Sequence, residues 1–226
     1  MAKNSQPKTP PYLKNIYGWL YKKEKYYNLL DNVYVLNILT LGAHYVLTKE
    51  LTKEIYPHSQ ILQIGATLGS QIEKTYSVLD TAQNGSYTIV DILPNIIEKK
   101  QKKHFHHKIN WINADASKTI KGTYDTIICY MLLHELPPRT RAKILNNLIK
   151  ALTPNGKIIF IDYHQPGSYN PLKYLIRAIN RLYQPFAESL WKNSIKSLTP
   201  EAEKCTWSKQ TYFGGLYQKV VAAKNK

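Results

Sequence analysis

The order of apolar and polar residues along this chain predicts helices first, then strands and helices in alternation. Between Tyr12 and Ile55, apolar positions recur every three or four residues, a period typical of amphipathic helices. Beyond that point, short apolar runs that end near glycine or aspartate predict strands at residues 59–65, 86–92, 109–116, 124–132 and 156–164. Helical patterns separate these runs at residues 71–82, 94–104 and 137–152.

Strands that alternate with helices at this spacing predict a doubly wound, mostly parallel α/β sheet with helices on both faces. A further amphipathic helical segment, interrupted at Pro185, follows the fifth strand, and a hairpin-like pair of strands around Gly214 closes the chain. We therefore expect a flexible tail at residues 1–11 and a single domain at residues 12–226. Within this domain, two helical additions, at residues 12–55 and 168–200, are expected to form a lid.

Composition limits the class of protein without identifying it. The chain has 226 residues, of which 43% are hydrophobic and 20% charged, as in an ordinary globular domain. Two cysteines, Cys129 and Cys205, cannot build a disulfide framework, so a reducing compartment is expected. The first residues contain no apolar run, and Asn32 to Thr48 is too polar for a spanning helix, so we expect neither a signal peptide nor a transmembrane segment.

Charge widens the range of partners. The formal net charge is +16, which is compatible with nucleic acid, with an anionic membrane surface, or with simple colloidal solubility. Most of the positive charge is lysine, with no arginine-rich stripe, and the turn "HELPP" lacks the N/D-P-P-Y/F pattern that would hold a base amine. A nucleic-acid-binding module or RNA methyltransferase is therefore the less favoured interpretation.

Candidate ligand-binding residues follow the predicted strands. In doubly wound sheets, ligands bind beyond the carboxyl ends of the strands. Gly65 and Gly69 follow the first strand, Asp91 the second, Asp115 the third, and the pair His134-Glu135 the fourth. An aspartate in such a place is often only a helix cap or turn residue. Four such signals in register with four strands favour a ligand site.

The loop "ILQIGATLGS" indicates which ligand this site takes. Thr67 occupies the middle position of the usual G-x-G-x-G pattern, where a pyrophosphate needs close backbone approach, so a dinucleotide is disfavoured. S-adenosylmethionine has no phosphate. Asp91 lies about 20 residues beyond Gly69, the offset of a ribose-binding acid, and Asp115 suits an adenine amino group. The predicted cofactor-binding residues are Gln63, Gly65, Gly69, Asp91, Ile92, Asp115 and Ala116.

With these motifs in this order, the chain resembles the class I S-adenosylmethionine-dependent methyltransferases, whose fold is Rossmann-like. Several segments resemble more narrowly the RquA family of rhodoquinone biosynthesis enzymes. The narrower resemblance rests on "LLHELPPRTRAKIL", "GKIIFIDYHQP", "NPLKYLIRAINRLYQPFAESLW" and "TYFGGLYQKVV". It extends over nearly the whole chain from Tyr12.

This resemblance implies an unusual reaction, in which a ring methoxy group of ubiquinone is replaced by an amino group. S-adenosylmethionine is then a co-substrate that donates the amine, and Mn²⁺ is associated with the reaction. By position, Gly65, Gly69, Asp91 and Asp115 would hold the cofactor. The reaction end would be lined by His134, Glu135, Asp162, Tyr163 and His164.

The chemistry of amination suits these residue types. An amine must be neutral to attack a quinone ring, and His164 or His134 can take its proton. Tyr163 or a metal ion can stabilise negative charge on a quinone oxygen. Asp162 and His164 lie two apart, so in an extended strand they face one side, and with His134 or Glu135 they make a Mn²⁺ site. The alternative is that both histidines are structural or loop residues.

A polyprenyl quinone resides in the bilayer, so the enzyme is expected to be cytoplasmic and peripheral to the inner membrane face. Aromatic residues interleave with lysines between Lys14 and Tyr27, and "LKYLIRAINRLYQPF" combines an apolar face with cations, as interfacial helices do. The alternative is a lid packed on the sheet. Within enzymes, the alternative to amination is C- or O-methylation of a quinone or another lipophilic aromatic.

Overall fold

The computed structural model describes residues 7–21 and 23–225, apart from the side chains at positions 175 and 179. Its centre is a seven-stranded sheet in the order β3-β2-β1-β4-β5-β7-β6. The strands are β1 (Gln60–Ile64), β2 (Ser86–Asp91), β3 (Ile109–Asn113), β4 (Tyr124–Tyr130), β5 (Leu152–Tyr163), β6 (Cys205–Tyr212) and β7 (Tyr217–Lys224).

The first five strands are parallel, and β7 runs antiparallel between β5 and β6. Strand order reverses between β1 and β4, where a crevice opens at the carboxyl edge of the sheet. The predicted doubly wound, mostly parallel α/β fold is confirmed. The hairpin predicted at the end of the chain corresponds to β6 and β7.

Ten α-helices surround the sheet in the described part of the chain. Five precede it: α1 (Pro11–Asn15), α2 (Gly18–Tyr21), α3 (Glu24–Asp31), α4 (Val33–Leu39) and α5 (Ala43–Thr52). The others are α6 (Gln71–Ser77), α7 (Pro94–Lys103), α8 (Pro138–Lys150), α9 (Lys173–Tyr183) and α10 (Ala187–Trp191). None of the described helices is long and apolar enough to cross a membrane. Most of the tail predicted at residues 1–11 lies outside the described residues.

Alternation of side chains along the strands produces a core on each face of the sheet. On one face, Ile127 and Cys129 of β4 pack with Leu145 and Leu148 of α8. On the opposite face, Ile128 belongs to the cluster that contains Leu47 and Leu51 of α5. The strands between are buried on both sides, so their sequences read as continuous apolar runs.

Two element boundaries differ from the prediction. Helix α6 ends at Ser77 rather than near residue 82, and β5 begins at Leu152, the last residue of the predicted helix, rather than at residue 156. The early start reflects an irregularity in the pairing of β4 with β5 near Tyr124. His104, directly after the end of α7, is buried, and its ring stacks on Trp111 with centroids 6.5 Å apart. The apolar surface of Trp111 explains the burial.

The N-terminal helices attach to the glycine turn after β1 through two polar side chains, Asp31 and the buried His44. Asp31 of α3 accepts hydrogen bonds from the Gly69 amide at 2.9 Å and from the buried Lys100 ammonium at 2.6 Å. His44 of α5 accepts one from the Ser70 amide at 3.2 Å. A Cβ at Gly69, where φ is +76°, would lie 2.7 Å from both His44 and Leu36. Glycine is therefore required for this close packing of the helices on the turn.

The buried histidines predict that acid destabilises the fold. Burial and the nearby positive charge of Lys100 lower the pKa of both His44 and His104 to about 4. In the unfolded chain these histidines bind protons below about pH 6.5, whereas in the folded protein they do so only below about pH 4. Because protons bind the unfolded state first, the free energy of unfolding decreases as the pH falls between these two values. At pH 5 each histidine should reduce the free energy of unfolding by about 2 kcal/mol.

Urea denaturation at pH 7 and at pH 5 measures this loss. His44→Gln keeps an acceptor for Ser70, so it should remove roughly half of the loss attributed to the two histidines. The exposed His106 provides the control, since His106→Gln should leave the loss unchanged. An equal loss in His44→Gln and in the wild type would contradict the assignment.

Candidate functional site

A cavity of about 900 Å³ occupies the crevice at the carboxyl edge of the sheet. Its floor is formed by residues that follow β1, β2, β3, β4 and β5, and its roof by residues of the N-terminal helices and of α9. Most lining side chains are apolar or aromatic. The few polar groups are the candidate binding and reaction residues, as is usual for a small-molecule site.

The glycine turn after β1 forms one part of the floor. Gly65 lines the cavity with φ at +86°, and its amide donates to the Val90 carbonyl oxygen at 2.9 Å, which joins the turn to β2. Thr67 also lines the cavity, and its hydroxyl donates to Gln71 Oε1 at 2.6 Å. Gly69 does not line the cavity. Its role is the packing of α4 and α5 described above rather than contact with a ligand.

The structure places Gln63 behind the turn and not in the cavity wall, contrary to the prediction. Its side chain is fully buried and donates to the Gly65 carbonyl oxygen at 2.9 Å, while it exchanges hydrogen bonds with Gln71. The Tyr87 hydroxyl donates to Gln63 Oε1. Side chains alternate along a strand, so a residue two positions before the turn supports it from within the core.

Asp91, at the end of β2, combines a structural role with free acceptor capacity. Its two carboxylate oxygens accept hydrogen bonds from the amides of Ala66 at 2.7 Å and Leu93 at 2.8 Å. Burial raises the pKa of this carboxyl group, and the surrounding backbone amides oppose the rise. A carboxylate has about four acceptor sites, so each oxygen retains one toward the cavity that Asp91 lines. Two ribose hydroxyls fit this pattern.

The other predicted cofactor residues also line the cavity. Ile92 follows Asp91, and Ala116 follows Asp115 beyond the end of β3. One carboxylate oxygen of Asp115 accepts a hydrogen bond from the Ser117 amide at 2.9 Å. The other carboxylate oxygen does not take part in this hydrogen bond. Apolar side chains beside a single carboxylate suit an adenine ring with one exocyclic amine. Ligand binding by these residues stays a prediction.

The reaction end is organised by the buried carboxylate of Asp162 on β5. Its oxygens accept from His134 Nδ1 at 2.8 Å and from the Leu133 amide at 2.7 Å, and so fix the turn Leu133–Glu135 that follows β4. Burial alone lowers the pKa of His134, but the charge and hydrogen bond of Asp162 outweigh it and raise the pKa above its usual value. Because Nδ1 donates to Asp162, the neutral imidazole presents Nε2 as its acceptor.

Glu135 and two aromatic residues surround His134. Glu135 Oε1 lies 4.0 Å from His134 Nε2, and the Tyr21 hydroxyl donates to both Glu135 oxygens at 3.0 and 2.8 Å. Burial raises the pKa of Glu135, and the charge of His134 and the hydrogen bond from Tyr21 partly offset this rise. The Tyr163 ring lies 4.6 Å from the His134 ring, measured between centroids. His134, Glu135 and Tyr163 all line the cavity.

The residues expected to bind Mn²⁺ do not fit a metal site. His164 does not join Asp162 and His134: its Nδ1 bonds the Gly215 carbonyl oxygen at 2.9 Å, and its Nε2 lies 2.8 Å from Lys209 Nζ. His134 Nδ1 and both Asp162 oxygens are engaged with each other and with backbone amides. Within residues 7–21 and 23–225, no group of three or more histidine, cysteine, aspartate or glutamate side chains could hold a metal ion.

Sequence reasoning missed several residues that shape the site. Tyr21 could not be assigned to Glu135 because 114 positions separate them. Arg141 is fully buried in α8 and donates to the Leu133 carbonyl oxygen at 2.6 Å, to the Phe186 carbonyl oxygen at 2.5 Å and to Ser189 Oγ at 2.9 Å. It thereby connects the reaction end to α10. A cation inside an otherwise apolar helix face was the available signal.

Comparisons with known proteins find similarity to methyltransferases. The family described as a methyltransferase domain matches residues 62–158, somewhat less than half of the chain. Demethylmenaquinone methyltransferase of Chlamydia trachomatis serovar D is 24% identical over 177 residues, which cover 73% of this chain and 75% of that protein. The chain spans only 4% of another relative, the polyketide synthase-nonribosomal peptide synthetase ffsA of Aspergillus flavipes, at 26% identity over 149 residues.

Solved structures share the fold at low sequence identity. The mitomycin 7-O-methyltransferase MmcR aligns with a TM-score of 0.68 at 13% identity, over 92% of this chain and 60% of that one. The N-methyltransferase NodS of Bradyrhizobium japonicum WM9, in complex with S-adenosyl-L-homocysteine, gives 0.64 at 14% identity, over 96% of this chain and 100% of that one. The chain therefore has the fold of the class I S-adenosylmethionine-dependent methyltransferases, and its residues 62–158 match a methyltransferase domain.

Proposed function

We propose that this protein is an S-adenosylmethionine-dependent methyltransferase that acts on a quinol or another lipophilic aromatic ring. One observation carries the proposal: a single cavity is lined by Asp115, Asp91, Gly65, His134 and Tyr163, in the order of the strands that they follow. Acceptors suited to an adenosyl group thus lie beside an acid–base group under an apolar roof. This order supports a cofactor and a ring substrate side by side.

The cofactor half needs only residues of the cavity floor. Asp91 is placed to accept the ribose hydroxyls, Asp115 to accept the adenine amine, and Ile92 and Ala116 to contact the ring. When bound, S-adenosylmethionine supplies a sulfonium-activated methyl group for a nucleophilic ring carbon or oxygen and is released as S-adenosylhomocysteine. Glycine at position 65 allows the turn to approach this ligand.

His134 is the group that moves the proton. Methylation of a hydroxylated ring becomes faster when the hydroxyl or ring carbon loses its proton, and His134 Nε2 accepts it. Asp162 holds the ring through Nδ1 and stabilises the imidazolium that results. Glu135, whose pKa burial raises, lies 4.0 Å from Nε2 and adds negative charge beside that imidazolium.

Two features favour a quinone-type substrate. The Chlamydia trachomatis relative is named for methylation of demethylmenaquinone, and it aligns over three quarters of its own length. The main cavity also adjoins a second cavity of about 760 Å³, since Leu39, Thr40, Ile176 and Tyr217 line both. A ring with a long apolar tail would use the first cavity for the ring and the second for the tail.

Amino transfer to ubiquinone, which would give rhodoquinone, is the second candidate. It is favoured by the contacts among the segments that resemble the RquA family. The His164 amide donates to the Leu216 carbonyl oxygen and the Gly167 amide to that of Gly214, both at 2.9 Å, so residues 162–167 pack on the turn between β6 and β7. Arg141 connects residues 186–189 to the reaction end. Methyl transfer has the wider support, from the domain match and the relatives.

We also propose that the protein attaches peripherally to an anionic membrane. Exposed apolar residues recur at Tyr34, Ile38, Leu41 and Tyr45, and again at Tyr174 and Leu182 of α9. Helices α4 and α9 both contribute to the cavity walls, and Ile38 and Leu182 are 74% and 75% exposed. Arg181 lies beside this apolar surface. The combination suits insertion among anionic lipids, from which a long-tailed quinone would enter the cavity.

Removal of the ribose-binding charge should weaken cofactor binding. Asp91→Asn keeps the side-chain shape but loses the charge that strengthens both hydrogen bonds, so calorimetric titration with S-adenosylhomocysteine should give an affinity about tenfold to a hundredfold lower. Asp80→Asn is the matched control, because Asp80 also holds backbone amides but at the opposite edge of the sheet. Equal affinities for Asp91→Asn and the wild type would contradict the assignment of Asp91.

Isotope transfer decides between the two reactions. The protein is incubated with reduced and oxidised short-tailed quinones and with S-adenosylmethionine labelled with ¹³C in the methyl group or ¹⁵N in the amine. We expect the product to gain the ¹³C methyl group, since the relatives are methyltransferases. Arrival of ¹⁵N with loss of a methoxy group, and no ¹³C in the product, would replace methylation by amination.

Membrane attachment should depend on the exposed residues of α4 and the following turn. Flotation with vesicles of phosphatidylcholine containing about a third phosphatidylglycerol should recover the wild-type protein with the lipid. Ile38→Asp with Leu41→Asp should reduce recovery about tenfold or more, because two exposed apolar side chains that would enter the lipid are replaced by charges that the anionic lipid repels. Tyr56→Asp, at the opposite edge of the sheet, should behave as the wild type, and an equal loss in both would contradict the assigned surface.

A further inference from the structure

Helix α9 and the residue that follows it place two amides in the wall of the main cavity. Asn180 and Gln184 are four positions apart, so they lie on one face of the helical turn, and both line the cavity. Asn180 is only 1% exposed, and its Nδ2 has no hydrogen-bond partner among the described residues. Gln184 Oε1 likewise has no hydrogen-bond partner among the described residues.

A third polar atom without a partner comes from the N-terminal helices. Tyr17, between α1 and α2, is 2% exposed and lines the same cavity, and its hydroxyl also lacks a hydrogen-bond partner in the described part of the chain. Buried polar groups are almost always hydrogen-bonded, because their desolvation is otherwise uncompensated. Three such atoms, from elements far apart in sequence, converge on one cavity. A ligand bound in this cavity would supply the missing partners.

Two of the three side chains lie near the acid–base groups. The Gln184 amide is close enough to the Tyr163 hydroxyl to oppose the rise that burial causes in the pKa of Tyr163. The Tyr17 ring lies 6.5 Å from the ring of Tyr21, measured between centroids, and the Tyr21 hydroxyl donates to Glu135. Gln184 and Tyr17 therefore belong to the part of the cavity where the proposed function places the reacting ring, and Asn180 lies one helical turn before Gln184.

We propose that Asn180, Gln184 and Tyr17 form a recognition subsite for the oxygen substituents of the substrate ring. Asn180 Nδ2 donates to one ring oxygen, Gln184 Oε1 accepts from a ring hydroxyl, and the Tyr17 hydroxyl serves either type of oxygen. The ligand class is an aromatic ring with at least two oxygen substituents, such as a hydroquinone. The assignment rests on the proposed function for the identity of the ring, and it makes these side chains specificity-determining.

The subsite can be tested by binding alone, without catalysis, by comparing the affinities for a ring with oxygen substituents and for a ring without them. The probes are a tailless dimethoxy-methyl hydroquinone and tetramethylbenzene, an apolar ring of similar size, titrated into protein saturated with S-adenosylhomocysteine. The wild type should prefer the hydroquinone strongly, since unpaired polar groups reject an apolar ring. Asn180→Leu should reduce this preference about tenfold, and Tyr17→Phe, which removes only a hydroxyl, should reduce it several-fold.

Thermal unfolding separates recognition from a structural role. Asn180→Leu replaces a buried amide without a partner by an apolar side chain of similar volume, so its melting temperature should equal or exceed that of the wild type. Asn28→Leu and Tyr45→Phe, at exposed positions outside the cavity, serve as controls and should change neither property. An unchanged preference in both Asn180→Leu and Tyr17→Phe would overturn the subsite. A lost preference for the hydroquinone with a retained melting temperature would support the subsite, whether or not methyl transfer is found. An absence of methyl transfer would count against the proposed function and not against the subsite.

Discussion

The reaction end of this protein depends on one buried carboxylate. Asp162 has no exposed surface, and a charge removed from water is tolerated only where hydrogen bonds replace its solvation. Its partners are the His134 imidazole and the backbone of the turn after β4, so β5 fixes both the position of the turn and the tautomer of the histidine. Arg141 of α8 also supports this turn, because it donates a hydrogen bond to the carbonyl oxygen of Leu133. Hydrogen bonds therefore connect the acid–base group directly to the centre of the sheet and to α8.

The cofactor end has a comparable support from the opposite direction. Asp31 and His44, both from the N-terminal helices, accept hydrogen bonds from consecutive backbone amides of the glycine turn. A buried ion pair such as that of Asp31 with Lys100 contributes little net stability but is costly to break. The helices that form the roof are thus tied to the floor, and movement of the roof would disturb the turn beside the cofactor.

Sequence reasoning predicted the sheet and much of the floor of the cavity for a physical reason. Parallel strands place their carboxyl ends at one edge, so Asp91, Asp115 and His134 had to lie close together once the strands were recognised. It failed where side chains meet across long separations, as with Tyr21, or where alternation within a strand decides the direction, as with Gln63. His164 was misplaced because its ring bonds Gly215, in the turn between β6 and β7, and Lys209 of β6 instead of the reaction end. Partners of this kind depend on tertiary packing, which periodicity does not encode.

The central claim is that S-adenosylmethionine and its product lie across the carboxyl ends of β1, β2 and β3. Hydrogen–deuterium exchange in the presence and absence of saturating S-adenosylhomocysteine tests it most directly, since it reports on each backbone segment of the intact protein. We expect slower exchange at residues 65–70, 91–93 and 115–117, with no change in the turn between β6 and β7 at residues 213–216. Protection confined to other segments, or none at ligand concentrations that should saturate the site, would contradict it.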